Sequence, residues 1–335
     1  MNSFGTLFRV EIFGESHGPA VGILVDGCPP GIALTAADLE TDLARRRPGA
    51  PGTTGRREAD SPEFLSGLFE GRTTGTPILI ILRNGDTRSA DYSRFAVLPR
   101  PGHADWTGRL RYRGANDPRG SGHFSGRVTA GLVAAGALAK LLLPGVSFGT
   151  RVLEAGGRTD IEAAAREAAE AGDSIGGLVE LRVSGLPPGL GEPYFDAVEA
   201  LAAHAFFAVP GVRGVEFGDG FAAARMRGSE HNDPIIDAAG TTARNGAGGA
   251  NGGITNGNEL VCRVAVKPAS SIARAQRTWD FAAGALGTLE AEGRHDACIA
   301  LRAAVVLEAS LALVLADLFL AARTRDPAFD AKERP

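Results

Sequence analysis

Three short runs of the sequence set an imidazole beside a carboxylate or an arginine and frame the pair with glycine or proline. They are Gly14-Glu15-Ser16-His17-Gly18, Arg100-Pro101-Gly102-His103-Ala104-Asp105 and Gly293-Arg294-His295-Asp296. Histidine titrates closest to neutral pH, so such pairs can hold or deliver a proton. Glycine and proline favour turns, and turns let residues far apart in the chain converge on one pocket. Arginines crowd the same regions: Arg45-Arg46-Arg47-Pro48-Gly49, then Arg56-Arg57, and Arg119 and Arg127 around Gly120-Ser121-Gly122-His123-Phe124-Ser125-Gly126. A planar guanidinium matches the geometry of phosphate and carboxylate. The combination points to general acid–base chemistry on a multiply charged anion.

Two other chemistries use the same residue types. Gly14-Glu15-Ser16-His17-Gly18 fits G-x-S-x-G, the nucleophile elbow of serine hydrolases. That elbow must follow a strand and open a helix inside a parallel sheet, whereas here Pro19 and the apolar run 21–25 read as turn and strand. His17, His103 and His295 each have a carboxylate within two residues, which raises a metal site. Side chains so close in sequence seldom point at one ion, and no His-x-x-x-His spacing is present.

The elements that must position these groups are legible in outline. Residues 8–13 alternate like a strand and deliver the first histidine turn, and 21–25 and 77–82 read as buried strands. Thr35-x-x-Asp38 marks a helix start, with Leu39 and Leu43 one turn apart and the arginine run at its end. Residues 128–142 form a helix rich in alanine and glycine, apolar on every side, which must therefore be buried on every side, between sheets. The glycine-rich turn before it offers backbone N–H groups and a positive helix end to an anion.

Further on, 161–171 reads as a charged surface helix with Glu162 and Arg166 paired. Val179, Leu181 and Val183 alternate with polar residues as in an antiparallel strand, 195–207 is a helix, and 212–217 and 259–266 are strands. His204 in that helix reads as a packed or surface residue. Residues 245–258, almost all Gly, Asn, Ala and Thr, are too poor in large side chains to form core, so they read as a mobile loop or a ligand cradle. Lys267-Pro268-Ala269-Ser270-Ser271 has a lysine, hydroxyls and amides suited to phosphate. Residues 302–323 form a long apolar helix that Glu308 and Asp317 mark as core. One domain over 1–325 with a polar tail at 326–335 is expected.

Composition sets the bounds. The chain has 335 residues, 44% of them apolar, and a net charge of −4, so no overall field draws it to nucleic acid. All basic residues but Lys140, Lys267 and Lys332 are arginines. Cys28, Cys262 and Cys298 have no Cys-x-x-Cys spacing, and Cys262 reads as a packed thiol. No basic segment leads into an apolar run at the start, and the longest uncharged apolar stretch, 128–139, is too short for a bilayer. A cytoplasmic protein without membrane or nucleic-acid partners is expected.

Five of these motifs, those around His17, Arg46 and His103, Lys267–Ser271, and Gly293-Arg294-His295-Asp296-Ala297-Cys298, resemble in order and spacing those of the chorismate synthase family, from residue 5 to about 320. The resemblance implies an α+β fold, a helical core between two antiparallel β-sheets, usually as a homotetramer. It implies conversion of 5-enolpyruvylshikimate 3-phosphate to chorismate and phosphate, an anti-1,4-elimination that needs reduced FMN without net redox change. NADPH would reduce the flavin, directly or through a separate reductase.

Carried over by position, His17 resembles the histidine beside the substrate phosphate, His103 the one that protonates the flavin, and Asp296 the carboxylate near the flavin's reactive nitrogen. Arg46, Arg100, Arg127 and Arg294 resemble anion-binding arginines. His123, Phe124, Ser125, Gly252, Lys267, Pro268, Ala269, Ser270, Ser271 and Arg294 fall at flavin-contacting positions. The family pattern R-S-S-A-R-E-T appears here as His123-Phe124-Ser125-Gly126-Arg127-Val128-Thr129, a histidine for the flavin-side arginine and a valine for an acid. The region after Pro48 is one residue shorter, placing Gly52 where an arginine is usual, which weakens a nicotinamide site. A homologue that kept the fold as a flavin- or anion-binding protein, or a metal-dependent phosphoesterase, are the alternatives.

Overall fold

The computed structural model describes residues 1–49, 53, 58–86, 89–291, 296–326 and 329. Two antiparallel sheets enclose a layer of helices. The first sheet has the strand order Ser3–Phe4, Arg9–Gly14, Ala20–Asp26, Ile78–Arg83, Pro62–Phe64. The second runs Val212–Phe217, Leu260–Val266, Gly177–Ser184, Ser147–Ala155. The helix Thr129–Lys140 packs on the first sheet, and the long helix Ala300–Arg325 packs on both that helix and the second sheet. One apolar cluster runs through all four layers, from Val21, Ile23 and Ile80 through Val133, Leu138, Leu311 and Leu315 to Val179, Leu181 and Val264. The α+β architecture with a helical core between antiparallel sheets is thus as expected.

Close helix packing explains the small residues of Thr129–Lys140. A Cβ on Gly131 would lie 2.8 Å from the carbonyl oxygen of Gly22, and one on Gly136 would lie 2.4 Å from the Cβ of Ala309. Glycine is what lets this helix touch a strand on one side and the long helix on the other. The long helix has the length and hydropathy of a membrane span, but it is buried among the other elements. Asp317 within it accepts hydrogen bonds from the backbone N–H groups of Thr6, Leu7 and Phe8, tying the start of the chain to the core.

Several elements differ in detail from the sequence reading. The helix expected over 128–142 begins only at Thr129, because Gly126–Val128 forms a separate 3-10 turn. The helix expected from residue 195 begins at Val198, since Tyr194 adopts φ 68° and turns the chain, leaving Phe195 exposed. Arg158, not Arg166, supplies the ion pair on the surface helix Ile161–Glu170, reaching Glu167 at 2.6 Å from the preceding loop. Glu180, on the polar face of its strand, is buried under Arg151, Arg182 and Arg263.

The segment 245–258 is packed in part against the fold rather than being a loose loop. Gly246, Gly248, Gly249 and Ala250 are buried, and the Asp233 carboxylate accepts from the N–H groups of Gly246 and Ala247 at 2.8 Å. Its glycines permit backbone contact: a Cβ on Gly248 would lie 2.3 Å from the Gly218 nitrogen. Of the expected tail, Phe329 is buried against Phe319, and residues 327–328 and 330–335 lie outside the described residues. All three cysteines are buried free thiols.

Candidate active site

Between the helical layer and the histidine turns lies a cavity of about 740 Å³. Its lining brings together residues from the two ends of the chain and most of the motifs between. Apolar side chains of Ile12, Leu132, Val209, Ile299, Val306 and Leu313 contribute one part of the wall. Among the described lining residues, six cationic side chains (Arg46, Arg100, Arg127, Arg213, Lys267 and Arg302) face three carboxylates (Glu58, Asp60 and Asp296). A chain of net charge −4 has thus gathered a local excess of positive charge.

His103 sits on the cavity wall in the turn before the short helix Asp105–Arg111. Its Nδ1 is 2.7 Å from Oδ1 of Asp105. Nη2 of Arg100 lies 3.1 Å from the same nitrogen, so Asp105 and Arg100 together fix the ring's orientation at Nδ1 and leave Nε2 for another partner. Burial lowers the imidazole pKa, and the Asp105 contact only partly offsets it, so the resting ring is neutral at neutral pH. Burial would raise the Asp105 carboxyl, but hydrogen bonds from Arg100 and His103 outweigh it and hold the group well below the usual range.

Arg100 organises this turn. It grips Asp105 through Nε at 2.8 Å and Nη2 at 2.7 Å, and donates to Ser271 Oγ at 2.8 Å and Ser121 Oγ at 2.9 Å. Its guanidinium also lies 4.4 Å from the Phe95 ring centroid. Lys267 Nζ donates to the Gly102 carbonyl at 2.6 Å and to Ser270 Oγ at 2.8 Å, so the two motifs form one structural unit. Burial, with the neighbouring Arg213 charge, lowers the lysine pKa.

The second group of charges surrounds Asp60, which is 2% exposed. Its carboxylate pairs with Arg127 and, at 3.3 Å, with Arg46. Arg46 also donates to the carbonyls of Gly126 at 2.7 Å and Arg127 at 3.2 Å, at the start of the buried helix. Burial and the nearby Arg302 push its pKa down to about 9, which still leaves it cationic at neutral pH. Arg127 Nε donates to Asn84 Oδ1 at 2.8 Å, and Asn84 Nδ2 donates to the carbonyls of Glu15 and Gly18. The arginine group is thereby joined to the first histidine turn.

His17 does not itself line the cavity; Ser16 does, and the His17 ring rests edge-on 5.2 Å from Tyr92, another lining residue. Gly120 adopts φ +57°, and a Cβ there would lie 2.3 Å from Cδ2 of His17, so this position of the glycine-rich turn must be glycine. His123, Phe124, Ser125, Ala269, Ser270, Ser271 and Asp296 line the cavity. His123 Nδ1 lies 2.8 Å from the Gly14 carbonyl and Nε2 lies 3.3 Å from Asn2 Oδ1. Pro268 and Gly252 are not on the wall; Gly252 is exposed in the hairpin between Ala250–Asn251 and Ile254–Thr255. Arg294 and His295 lie outside the described residues.

Asp60, Arg302, Arg213, Glu58 and Tyr92 line the site without having been singled out from the sequence. Arg302 looked like the first residue of a core helix, and Asp60 and Tyr92 stand in no motif. Arg213 sits where the pairing of Val212–Phe217 with Leu260–Val266 shifts register, a bulge that re-aims a side chain.

A sandwich of sheets around helices, with a cation-rich cavity holding a carboxylate-oriented histidine, defines an enzyme for small anionic substrates. A sequence profile of the chorismate synthase family matches residues 8–320. The chorismate synthase of Chitinophaga pinensis is 56% identical over 321 residues, covering 96% of this chain and 97% of its own. That of Methanosarcina mazei is 47% identical, covering 95% of this chain and 96% of its own. A crystal structure of chorismate synthase superposes with a TM-score of 0.73 at 27% identity, covering 95% of this chain and 93% of that one. The chain belongs to the chorismate synthase family.

Proposed function

We propose that this cavity carries out the family reaction, the anti-1,4-elimination of phosphate from 5-enolpyruvylshikimate 3-phosphate to give chorismate. The observation that carries it is the excess of cations over carboxylates around His103 and Asp296 in one cavity. A phosphate and two carboxylates would be prohibitively costly to bury without such neutralisation. Arg46 and Arg127, with Arg294, are the groups read as holding the substrate anion. Arg100 is read as acting on the substrate through Asp105 and His103, because its donors already hold that turn.

The residues present fit a flavin mononucleotide. A cavity of this size falls within the ~300–1,000 Å³ of small-molecule sites, with apolar side chains for a flat ring and Lys267, Ser270 and Ser271 as donors for a phosphate. Reduced FMN bound there would supply electron density for loss of phosphate from the allylic carbon, without net redox change. His123, Phe124, Ser125 and the 267–271 stretch would hold it. Gly252 does not line this cavity, so a flavin contact from it would require another copy of the chain.

His103, neutral at rest with Nε2 presented, is suited to take up and return one proton at that atom. Asp296 is read as the carboxylate that helps receive the proton lost from C6 of the substrate. His17, behind Ser16, is read as keeping the departing phosphate protonated. One catalytic unit over 1–325, supported by the continuous core, works in the cytoplasm as a homotetramer, with flavin reduced by NADPH directly or through a separate reductase. The test is an anaerobic assay with chemically reduced FMN and 5-enolpyruvylshikimate 3-phosphate. Chorismate and phosphate in equal amounts are expected; substrate binding without phosphate release would mean a binding homologue.

A further inference from the structure

Arg302 occupies the first turn of the long helix Ala300–Arg325. The positive end of a helix dipole disfavours a cation there, and local rules are broken most often at functional sites. Its guanidinium is shared between two cavity residues. Nη1 donates to Asp296 Oδ2 at 3.0 Å, and Nε donates to the Arg46 carbonyl at 2.9 Å. That carbonyl belongs to the last residue of the helix Ala36–Arg46, one of the acceptors a helix end leaves unsatisfied. All three residues line the cavity, and the Arg302 and Asp296 side chains are only 20% and 15% exposed.

We propose that Arg302 is a positioning residue for Asp296, fixing its carboxylate in the cavity while anchoring it to the end of the helix that carries Arg46. The rigid fork of the guanidinium makes both contacts at once, which a lysine cannot reproduce. The bond from Arg302 ties Asp296 to the first turn of the long helix, whose apolar residues are buried in the core. A misplacement of about 1 Å in a reacting group can cost ~10²-fold in rate. This inference rests on the reading of Asp296 as a proton acceptor.

The test compares Arg302→Gln, Arg302→Lys, Asp296→Asn and the double variant Arg302→Gln/Asp296→Asn, assayed anaerobically with reduced FMN. Arg302→Gln should lower kcat by about 10²-fold with little change in KM, and Arg302→Lys should recover only part of it. In the Asp296→Asn background, Arg302→Gln should cost nothing further, because its effect passes through that carboxylate. Losses that multiply in the double variant, or an effect confined to KM, would overturn the positioning role and leave Arg302 as a direct substrate ligand or a structural residue. Full activity in Asp296→Asn would remove the reading of Asp296 itself. Thermal melting of each variant reports folding, and if Arg302→Gln does not fold, Arg302→Lys alone and in the Asp296→Asn background carries the same comparison.

Discussion

Arg45 and Arg46 leave the same helical turn in different directions. Arg45 meets Glu308 of the long helix through two hydrogen bonds of 2.7 Å, and the same carboxylate accepts from Lys140 and Thr150 at 2.5 Å, while Asp42 takes a second bond from Lys140. Two cations and two carboxylates close on one another, and the group is complete without any ligand. Arg46 instead joins Arg127 and Arg302, with Asp60 and Asp296 as their carboxylates. That group opens on the cavity, and with Arg213 and Lys267 on the same wall its charge does not cancel. The difference teaches where charge serves architecture and where it waits for a substrate. A balanced buried group clamps helices and sheet, whereas an unbalanced one is a binding site.

The largest effects should come from breaking each group at its central carboxylate. Asp60→Asn removes the buried carboxylate between Arg46 and Arg127 and should cost about 3–5 kcal/mol, while Glu308→Ala leaves Arg45 and Lys140 only Asp42 to share and should cost less. Asparagine is chosen at position 60 because Asp60 has φ 50°, which asparagine tolerates. Urea denaturation should show both losses, and only the Asp60→Asn loss should shrink as inorganic phosphate or substrate is added. Equal anion rescue of both variants would erase the distinction between the two groups.

A smaller effect sharpens the comparison through pH. Burial would raise the Glu308 carboxyl, but Arg45, Lys140 and Thr150 outweigh it and bring it down to about 2. Its folded value is thus below an unfolded value of about 4.3. The resulting stability, on the order of 3 kcal/mol, is present above the unfolded value and is lost as pH falls towards about 2. The urea midpoint should fall steeply across that window, and Glu308→Gln should flatten the slope there. An unchanged slope in Glu308→Gln would show that the low-pH loss originates elsewhere.

How much of this was legible depended on the range of the contacts. The buried helix was readable because its composition excludes an exposed face, and His103 with Asp105 because both sit in one turn. The sequence showed three adjacent arginines but not that Arg45 would face a closed ion group and Arg46 the cavity, since their partners are Glu308 and Asp60. Glu308 read only as an interruption of an apolar helix; its role depends on Lys140 and Thr150, far away in the chain. Part of 245–258 is buried although it has few large side chains. There, backbone packing on backbone does that work, and glycine is what allows it.

The unit formed by His103, Asp105 and Arg100 is the centre of the proposed chemistry, and one pair of kinetic constants tests it. Anaerobic steady-state kinetics of His103→Ala with reduced FMN should give a kcat lowered by about 10²–10⁴-fold, with KM close to that of the unaltered protein. Equal losses in kcat and in substrate affinity would contradict a proton-transfer role and make His103 a binding residue.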